Sequence, residues 1–369
     1  MTNATQQATT RSKATINAYV APVLAFGCFL VFGHAFFHSS VPLYTGITLV
    51  EALVLIMAVF ATLWHGEKVA HWLGEPYGTI VLTMAVTMIE VSLISNLMLD
   101  GTDNPALARE TLFSAVMLVC NGLVGLCLVY GAFHHYEQRN NLTGTTAYLT
   151  VLMAVSVLTL IMPNHVGTPG HSFSPTQLGF VALVSIALYV AFLFVQTVRH
   201  PGFFKDDEDH GHEGEKPTRS QGYWHLLWML VCVASVVAVA DRFSSGLEEA
   251  LRAIGTPDAI LGLLIALLVL LPEGLTALIA ARANQIQKSL NIALGSALAT
   301  IGLTIPAVAM ISLYTGHELL LGLSERDTVM LLLTLGLCVL SFGSGRTNVL
   351  TGFVHLVLFA IYLFFQIVP

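Results

Sequence analysis

An all-α polytopic membrane protein is the fold class this sequence predicts, and three observations predict it. Of 369 residues, 55% are hydrophobic and 10% are charged, whereas soluble domains carry about 25% charged residues. The apolar residues gather in runs near the length a helix needs to cross a bilayer, about 20 residues. Polar and Pro/Gly-rich stretches separate those runs, among them PNHVGTPGHSFSP at 163–175 and RHPGFFKDDEDHGHEGEKPTRSQG at 199–222.

Taken in order, eleven runs read as transmembrane helices: 17–36, 42–64, 77–99, 110–133, 146–162, 177–197, 223–242, 259–281, 289–313, 328–343 and 347–367. The fifth and tenth are short. They group as one helix plus two sets of five. Residues 1–40 hold a polar tail and the first helix, 41–198 the first five-helix repeat, 199–222 an acidic loop, and 223–369 the second repeat. Lysine and arginine concentrate on the cytoplasmic side of membrane proteins. Loops on the N-terminal face hold eleven such residues against four (Arg109, Arg242, Arg252, Arg326) on the other face. The N-terminus is therefore expected in the cytoplasm, the C-terminus outside, and the acidic loop in the cytoplasm. The polar N-terminal segment lacks a small-residue cleavage site, so no cleaved signal peptide is expected. Cys28, Cys120, Cys127, Cys232 and Cys338 all lie in apolar runs without a CxxC pair, which predicts buried small side chains rather than metal ligands.

Two carboxylates stand out against this apolar background. Glu90 lies in VLTMAVTMIEVSLISNLML (81–99) and Glu273 in ILGLLIALLVLLPEGLTALIAA (260–281). An ionised acid facing lipid at mid-bilayer costs about 2.5–3.5 kcal/mol on the lenient insertion scale. That cost is avoided if the residue faces a polar cavity, takes a proton, or binds a cation. Burial favours the protonated form and a nearby cation the ionised one, so one pair of glutamates can hold protons and a metal ion alternately. A buried glutamate bonded to a neighbouring helix explains a single such residue; two in matching positions are harder to dismiss. Glu90 is in the second helix of the first five and Glu273 in the second of the last five, and a shift of five spans reverses direction through the membrane. IEVSLIS (89–95) resembles PEGLTALIA (272–280), and FSAVMLVCNGLVGL (113–126) resembles IALGSALATIGL (292–303) in small-residue texture. Inverted repeats of this kind mark secondary transporters with a midplane site.

Pro272 precedes Glu273 and lacks an N–H, which frees the carbonyl of Leu268 and predicts disturbance at Val269; a packing kink is the plainer alternative. Carboxylates with carbonyl oxygens make a hard oxygen cage suited to calcium, and no soft ligand set favours zinc or copper. Asn121 and Ser296 are the expected cavity-lining oxygens, among small residues (Ser114, Gly295, Thr300, Thr304) that also serve close helix packing. Pro306 frees the carbonyl of Gly302 and is expected to bend the ninth span. Glu51 and Glu75 are candidates for an entry or proton path; a paired structural role for Glu51 and a helix-start role for Glu75 compete. Arg242 and Arg346 are expected to snorkel at span ends. His355 reads either as a proton relay or as a satisfied interior histidine. The insert KDDEDHGHEGEKP lacks EF-hand spacing and reads as a solvated linker.

The segments GEPYGTIVLTMAVTMIEVSLI (74–94), LPEGLTALIAARANQIQKSLNIALGSALATIGLTIPAV (271–308) and GSGRTNVLTGFVHL (343–356) resemble ChaA-type calcium/proton antiporters of the calcium/cation antiporter superfamily. The resemblance spans essentially the whole chain. It implies eleven helices, two inverted five-helix repeats after one extra helix, a glutamate in each repeat serving both calcium and protons (Glu90 and Glu273 here), and an oligomeric assembly. The broader superfamily often carries GN-x-x-E around these acids, whereas this chain has TMIE and LPEG, which leaves the ion open.

The expected function is a calcium/proton antiporter in a bacterial inner membrane, with no cofactor, no enzymatic activity and no nucleic-acid partner. Sodium/proton or potassium/proton exchange through the same site is the alternative. A calcium-sensing module working through the acidic loop, and a channel, are the competing classes.

Overall fold

The computed structural model describes residues 17–30, 41–74, 77–99, 105–166, 172–204, 218–256 and 258–368. Glu75 and most of the acidic insert lie outside the described residues, as does the polar N-terminal tail. The described chain is almost entirely helical, and the described part of each expected span lies largely on helix, residues 31–36 of the first span lying outside the described residues. By length and apolar composition, eight of these helices are able to cross a bilayer among the described residues. Two further apolar helices are shorter, and the tenth span begins with Glu325, Arg326 and Asp327. Eleven spans are therefore not reached on these criteria.

Contacts divide the chain into two units, one of residues 1–100 with 213–255, the other of 101–212 with 256–369. Each unit draws on both halves of the sequence.

In the first unit, α1 (Asn17–Leu30), α2 (Val41–Leu73), α3 (Tyr77–Leu99) and α8 (Arg219–Ala253) pack together. Thr218 and Gln221 form a capping box that starts α8, satisfying backbone groups that the first turn leaves open. At about 1.5 Å per residue, α2 and α8 both exceed the bilayer core of about 30 Å. They run antiparallel along each other. Thr48 meets Gly246, Glu51 meets Arg242, His65 meets His225 and Trp72 meets Gly222, so numbers rise on one helix as they fall on the other. Small residues permit the close approach: a Cβ at Gly222 would sit 2.0 Å from the Trp72 ring.

The second unit holds the remaining elements. The fourth span is α4 (Leu107–Met117), a π turn (Leu118–Leu123) and α5 (Val124–His135). Next come α6 (Leu142–Ser156), extended by a π turn and a 3-10 turn to His165, and α7 (Pro175–Phe194). The fifth span thus reaches 24 residues, Leu142–His165, longer than the sequence suggested. After α9 (Asp258–Arg282), the ninth span repeats the pattern of the fourth: α10 (Ile286–Ala299), a π turn (Thr300–Thr304) and α11 (Ile305–Thr315). The chain closes with α12 (Glu325–Phe342) and α13 (Val349–Ile367). Side-chain caps from Asn141, Ser174, Ser324 and Asn348 start α6, α7, α12 and α13.

An addition to the helical expectation is a two-stranded antiparallel ribbon. β1 (Glu137–Arg139) pairs with β2 (Arg346–Asn348), with Gln138 opposite Thr347. Arg346 lies in this ribbon and its exposed side chain pairs with Glu137 at 3.8 Å, an exposed contact of small energetic weight. Cys120, Cys127, Cys232 and Cys338 are buried and free as expected, whereas Cys28, also free, is only half-buried near the end of α1.

Gly125 and Gly352 bring α5 and α13 together. A Cβ at Gly352 would lie 2.8 Å from the Val129 amide nitrogen and 3.0 Å from the Gly125 carbonyl oxygen. Backbone cannot yield as a side chain does, so Gly352→Ala is expected to cost about 1–3 kcal/mol by overpacking. Gly179, which has nothing within 4 Å of such a Cβ, should tolerate alanine. Thermal unfolding of both variants in detergent checks the contrast.

Candidate functional site

The second unit places Glu273 on α9 and Ser296 on α10, and the Ser296 hydroxyl donates to Glu273 Oε2. Both side chains are partly accessible, while Pro272 before the acid and Ala297 after the serine are buried. Helix α9 runs unbroken from Asp258 to Arg282 with Pro272 inside it. The expected unwinding at Leu268 and Val269 is thus absent. Both side chains are buried, and a single missing N–H does not open a helix packed along its length. Pro306 does mark a change: the π turn Thr300–Thr304 ends just before it, and the proline sits in the first turn of α11. The helix is continuous through this point, so the proline removes an amide hydrogen inside the span, and the π turn before it is where the irregularity is taken up.

The π turn of the fourth span carries Asn121, which is fully buried. This turn packs against both α9 and α10, the helices of Glu273 and Ser296. A Cβ on Gly274, next to the acid, would lie 3.5 Å from Leu123 of the turn. Single π turns inside α-helices occur frequently at functional sites. Asn121 Nδ2 donates to Thr334 Oγ1 at 2.8 Å, and Asn121 Oδ1 lies 3.1 Å from His355 Nδ1. His355, also fully buried, meets Ser341 Oγ through Nε2 at 3.0 Å. It is a satisfied interior histidine. Ser114 shares a hydrogen bond of 2.7 Å with Tyr362.

In the first unit, Glu90 is 6% exposed on α3, beside the fully buried Ile89 and Leu93. Glu51 on α2 is fully buried and lies 3.5 Å from Arg242 Nε. Arg242 does not snorkel as expected. Its other nitrogens donate to the Cys28 and Phe29 carbonyls at the end of α1, and its guanidinium lies over the Phe29 ring. A cation that can pair with a buried acid and with open helix-end carbonyls gains more there than at an interface. Further along the same two helices, the Nδ1 atoms of His65 and His225 are 2.9 Å apart, with Tyr19 and Trp64 edge-on to the pair and Trp228 stacked on His65.

Among the described residues, no three His, Cys, Asp or Glu side chains cluster as a metal cage would require. The oxygens shown together at Glu273 are its own carboxylate and the Ser296 hydroxyl, with Asn121 on the π turn that packs against the same two helices. Such oxygens suit hard cations such as calcium, sodium or potassium.

The sodium/calcium exchanger protein family model matches residues 43–198 and 224–368. The chain belongs to this family. Its relatives among exchangers include the sodium-potassium/proton antiporter ChaA of Escherichia coli, 40% identical, with 98% of this chain and 99% of the relative aligned. A putative ionic transporter of Sinorhizobium fredii is 44% identical over 93% of this chain and 94% of its own length. In structure, the exchanger resembles the H+/Ca2+ exchanger CAX, with a TM-score of 0.73 at 16% identity, covering 95% of this chain and 88% of the other. Native YfkE gives a TM-score of 0.73 at 15% identity. At such identities the likeness concerns the fold.

Reading the sequence did not find the π turns of the fourth and ninth spans, the contact of Thr334 and Ser341 with the Asn121–His355 pair, or the histidine pair of α2 and α8. A lone Asn in an apolar span was a signal for the first turn and Pro306 for the second. Nothing in linear spacing marked the others: Thr334 lies 213 positions from Asn121 and His225 lies 160 from His65, and Ser341 meets His355 across the turn between two different helices.

The ion pair in the first unit generates a test. Arg242→Met leaves a buried carboxylate uncompensated and should cost about 3–5 kcal/mol, while Glu51→Met with Arg242→Met should recover most of that loss. Unfolding temperatures of the single and double variants in detergent measure the difference.

Proposed function

We propose that this exchanger exports calcium from a bacterial cytoplasm in return for protons, through a midplane site built on Glu90 and Glu273. The observation that carries the proposal is the Glu273 carboxylate bonded to the Ser296 hydroxyl, on helices that flank the Asn121 π turn. In the inward-open state the two glutamates release protons and take the cation. Movement of helices opens the site to the other side, where protons displace the metal. Competition for the same oxygens couples the two fluxes, so no separate coupling device is needed. Asn121 and Ser296 supply further oxygens to the cation, and Glu51 and Glu75 flank its route or that of the proton. Pro272 offers no amide hydrogen to the Leu268 carbonyl, so that oxygen is the remaining backbone candidate, while with α9 continuous Val269 has only a packing role.

The eleven-helix, one-plus-five-plus-five layout is part of this reading. Supporting it, α2 and α8, the first helices of the two proposed repeats, run antiparallel, and the fourth and ninth spans each contain a π turn. The N-terminus is assigned to the cytoplasm and the C-terminus to the outside, and the exchanger is expected to assemble as a homo-oligomer.

A second reading has the same site exchanging sodium or potassium for protons. The Escherichia coli relative, a sodium-potassium/proton antiporter, favours it. Proteoliposomes carrying a pH gradient, tested with calcium, sodium and potassium in parallel, separate the readings. Coupled flux of calcium alone supports the first, and coupled flux of monovalent ions without calcium supports the second.

Glu90→Gln and Glu273→Gln should each abolish proton-coupled flux; full flux in either variant removes that residue from the site. Ser296→Ala removes a hydroxyl-to-carboxylate bond, and bonds to charged groups are worth about 1.5–3 kcal/mol, so the apparent KM for the cation should rise about tenfold. With competing protons, the KM of the unmodified exchanger should fall as pH rises. A KM that does not change with pH contradicts competition at one site.

A further inference from the structure

The hydrogen-bond chain through Asn121 has a direction that follows from chemistry. Thr334 Oγ1 lies 2.8 Å from the Met330 carbonyl oxygen and 2.8 Å from Asn121 Nδ2. A threonine hydroxyl has one hydrogen, and a carbonyl oxygen has none. That hydrogen goes to Met330, so the Thr334 oxygen accepts from the Asn121 amide NH2. The Met117 sulfur, a weaker acceptor, lies 3.7 Å from the same nitrogen. The amide oxygen is thereby turned to α13, 3.1 Å from His355 Nδ1. An amide oxygen only accepts, so His355 Nδ1 carries the hydrogen and Nε2 accepts from the Ser341 hydroxyl at 3.0 Å. Asn121, Thr334 and His355 are fully buried, and Ser341 is 7% exposed.

Asn121 thus has both N–H groups directed at neighbours and one lone pair of its oxygen held by His355. One lone pair remains. The close α5–α13 crossing at Gly125 and Gly352 brings His355 within reach, one helical turn beyond Gly352. We propose that His355 is a positioning residue for cation exchange: its Nδ1–H holds the Asn121 amide oxygen in the orientation that leaves this second lone pair available to the cation. The inference rests on the reading of Asn121 as a cavity-lining oxygen. Without the bond, the amide turns among several orientations, and apparent affinity falls by the fraction of time the competent one is populated. Protonating His355 at Nε2 leaves the bond to Asn121 intact, because the Ser341 oxygen can accept instead of donate. The role is therefore one of orientation, separate from proton carriage.

The test uses the full-length exchanger in proteoliposomes with whichever of calcium, sodium or potassium shows proton-coupled flux. His355→Asn keeps a donor near the Nδ1 position, whereas His355→Gln places its amide near Nε2 and loses the Asn121 contact. The expected result is a KM raised about three- to tenfold in His355→Gln with Vmax nearly unchanged, and a KM returned close to that of the unmodified protein in His355→Asn. Thr334→Val removes the other anchor of the amide. It should raise KM similarly, and it decides the matter if His355→Gln does not reconstitute. A role in stability alone would lower the unfolding temperature of these variants and leave KM unchanged, and that result overturns the proposal. Asn121→Ala separates the two levels. If it leaves KM unchanged, Asn121 is not in the cavity and the underlying reading fails. If it raises KM while His355→Gln and Thr334→Val do not, the positioning role alone fails.

Discussion

A polar group surrounded by hydrocarbon must find its partner within the chain, because no water is there to supply one. That constraint organises the second unit. Thr111, Thr159, Ser185 and Thr334 turn their hydroxyls back to the carbonyl four residues earlier. Ser114 finds Tyr362, and His355 finds Asn121 and Ser341. The first four bonds stay within one helix, whereas the Ser114–Tyr362, Asn121–His355 and Ser341–His355 contacts join different helices and help fix their rotation. The partly accessible Glu273–Ser296 pair is set against this background. The Ser296 hydroxyl occupies one oxygen of that carboxylate, and a carboxylate has about four lone-pair sites in all.

The π turns give this constraint its geometry. An α-helix that gains one residue in a turn loses regular hydrogen bonds locally and rotates the side chains that follow. In the fourth span the extra turn carries Asn121 between α9, α10, α12 and α13. In the ninth span it lies ahead of Pro306, whose ring could not sit in a regular helix interior without displacing a carbonyl. Two further π turns, Val157–Ile161 and Val195–Arg199, come at the ends of their α-helices; among the described residues only those of the fourth and ninth spans run on into more α-helix, in two halves that both match one exchanger family.

The first unit depends on a different interaction. Two helices longer than the bilayer core lie side by side, held at one stretch by the Glu51–Arg242 ion pair and at another by the His65–His225 contact. Arg242 also binds the last carbonyls of α1, so one guanidinium ties three helices. Arginine suits this task because its planar fork reaches several acceptors at once and keeps its charge when buried.

The sequence by itself determined the helical membrane class, the position of every apolar run, the two intramembrane acids and the family. These are properties of composition and one-dimensional spacing: apolar length, charge at a given depth, and proline or glycine at fixed offsets. Glu51 was legible as a buried acid, yet its partner was not, since Arg242 lies 191 positions away and read as a snorkelling residue. Asn121 and Ser296 were legible as oxygens in apolar spans, but their partners His355 and Glu273 depend on which helices touch. Tertiary structure decided which way each polar side chain faces, where a helix gains a residue, and that Pro272 leaves α9 continuous. The physical reason is that a hydrogen bond in an apolar interior is chosen by helix rotation and distance, and neither is encoded in the spacing of a single helix.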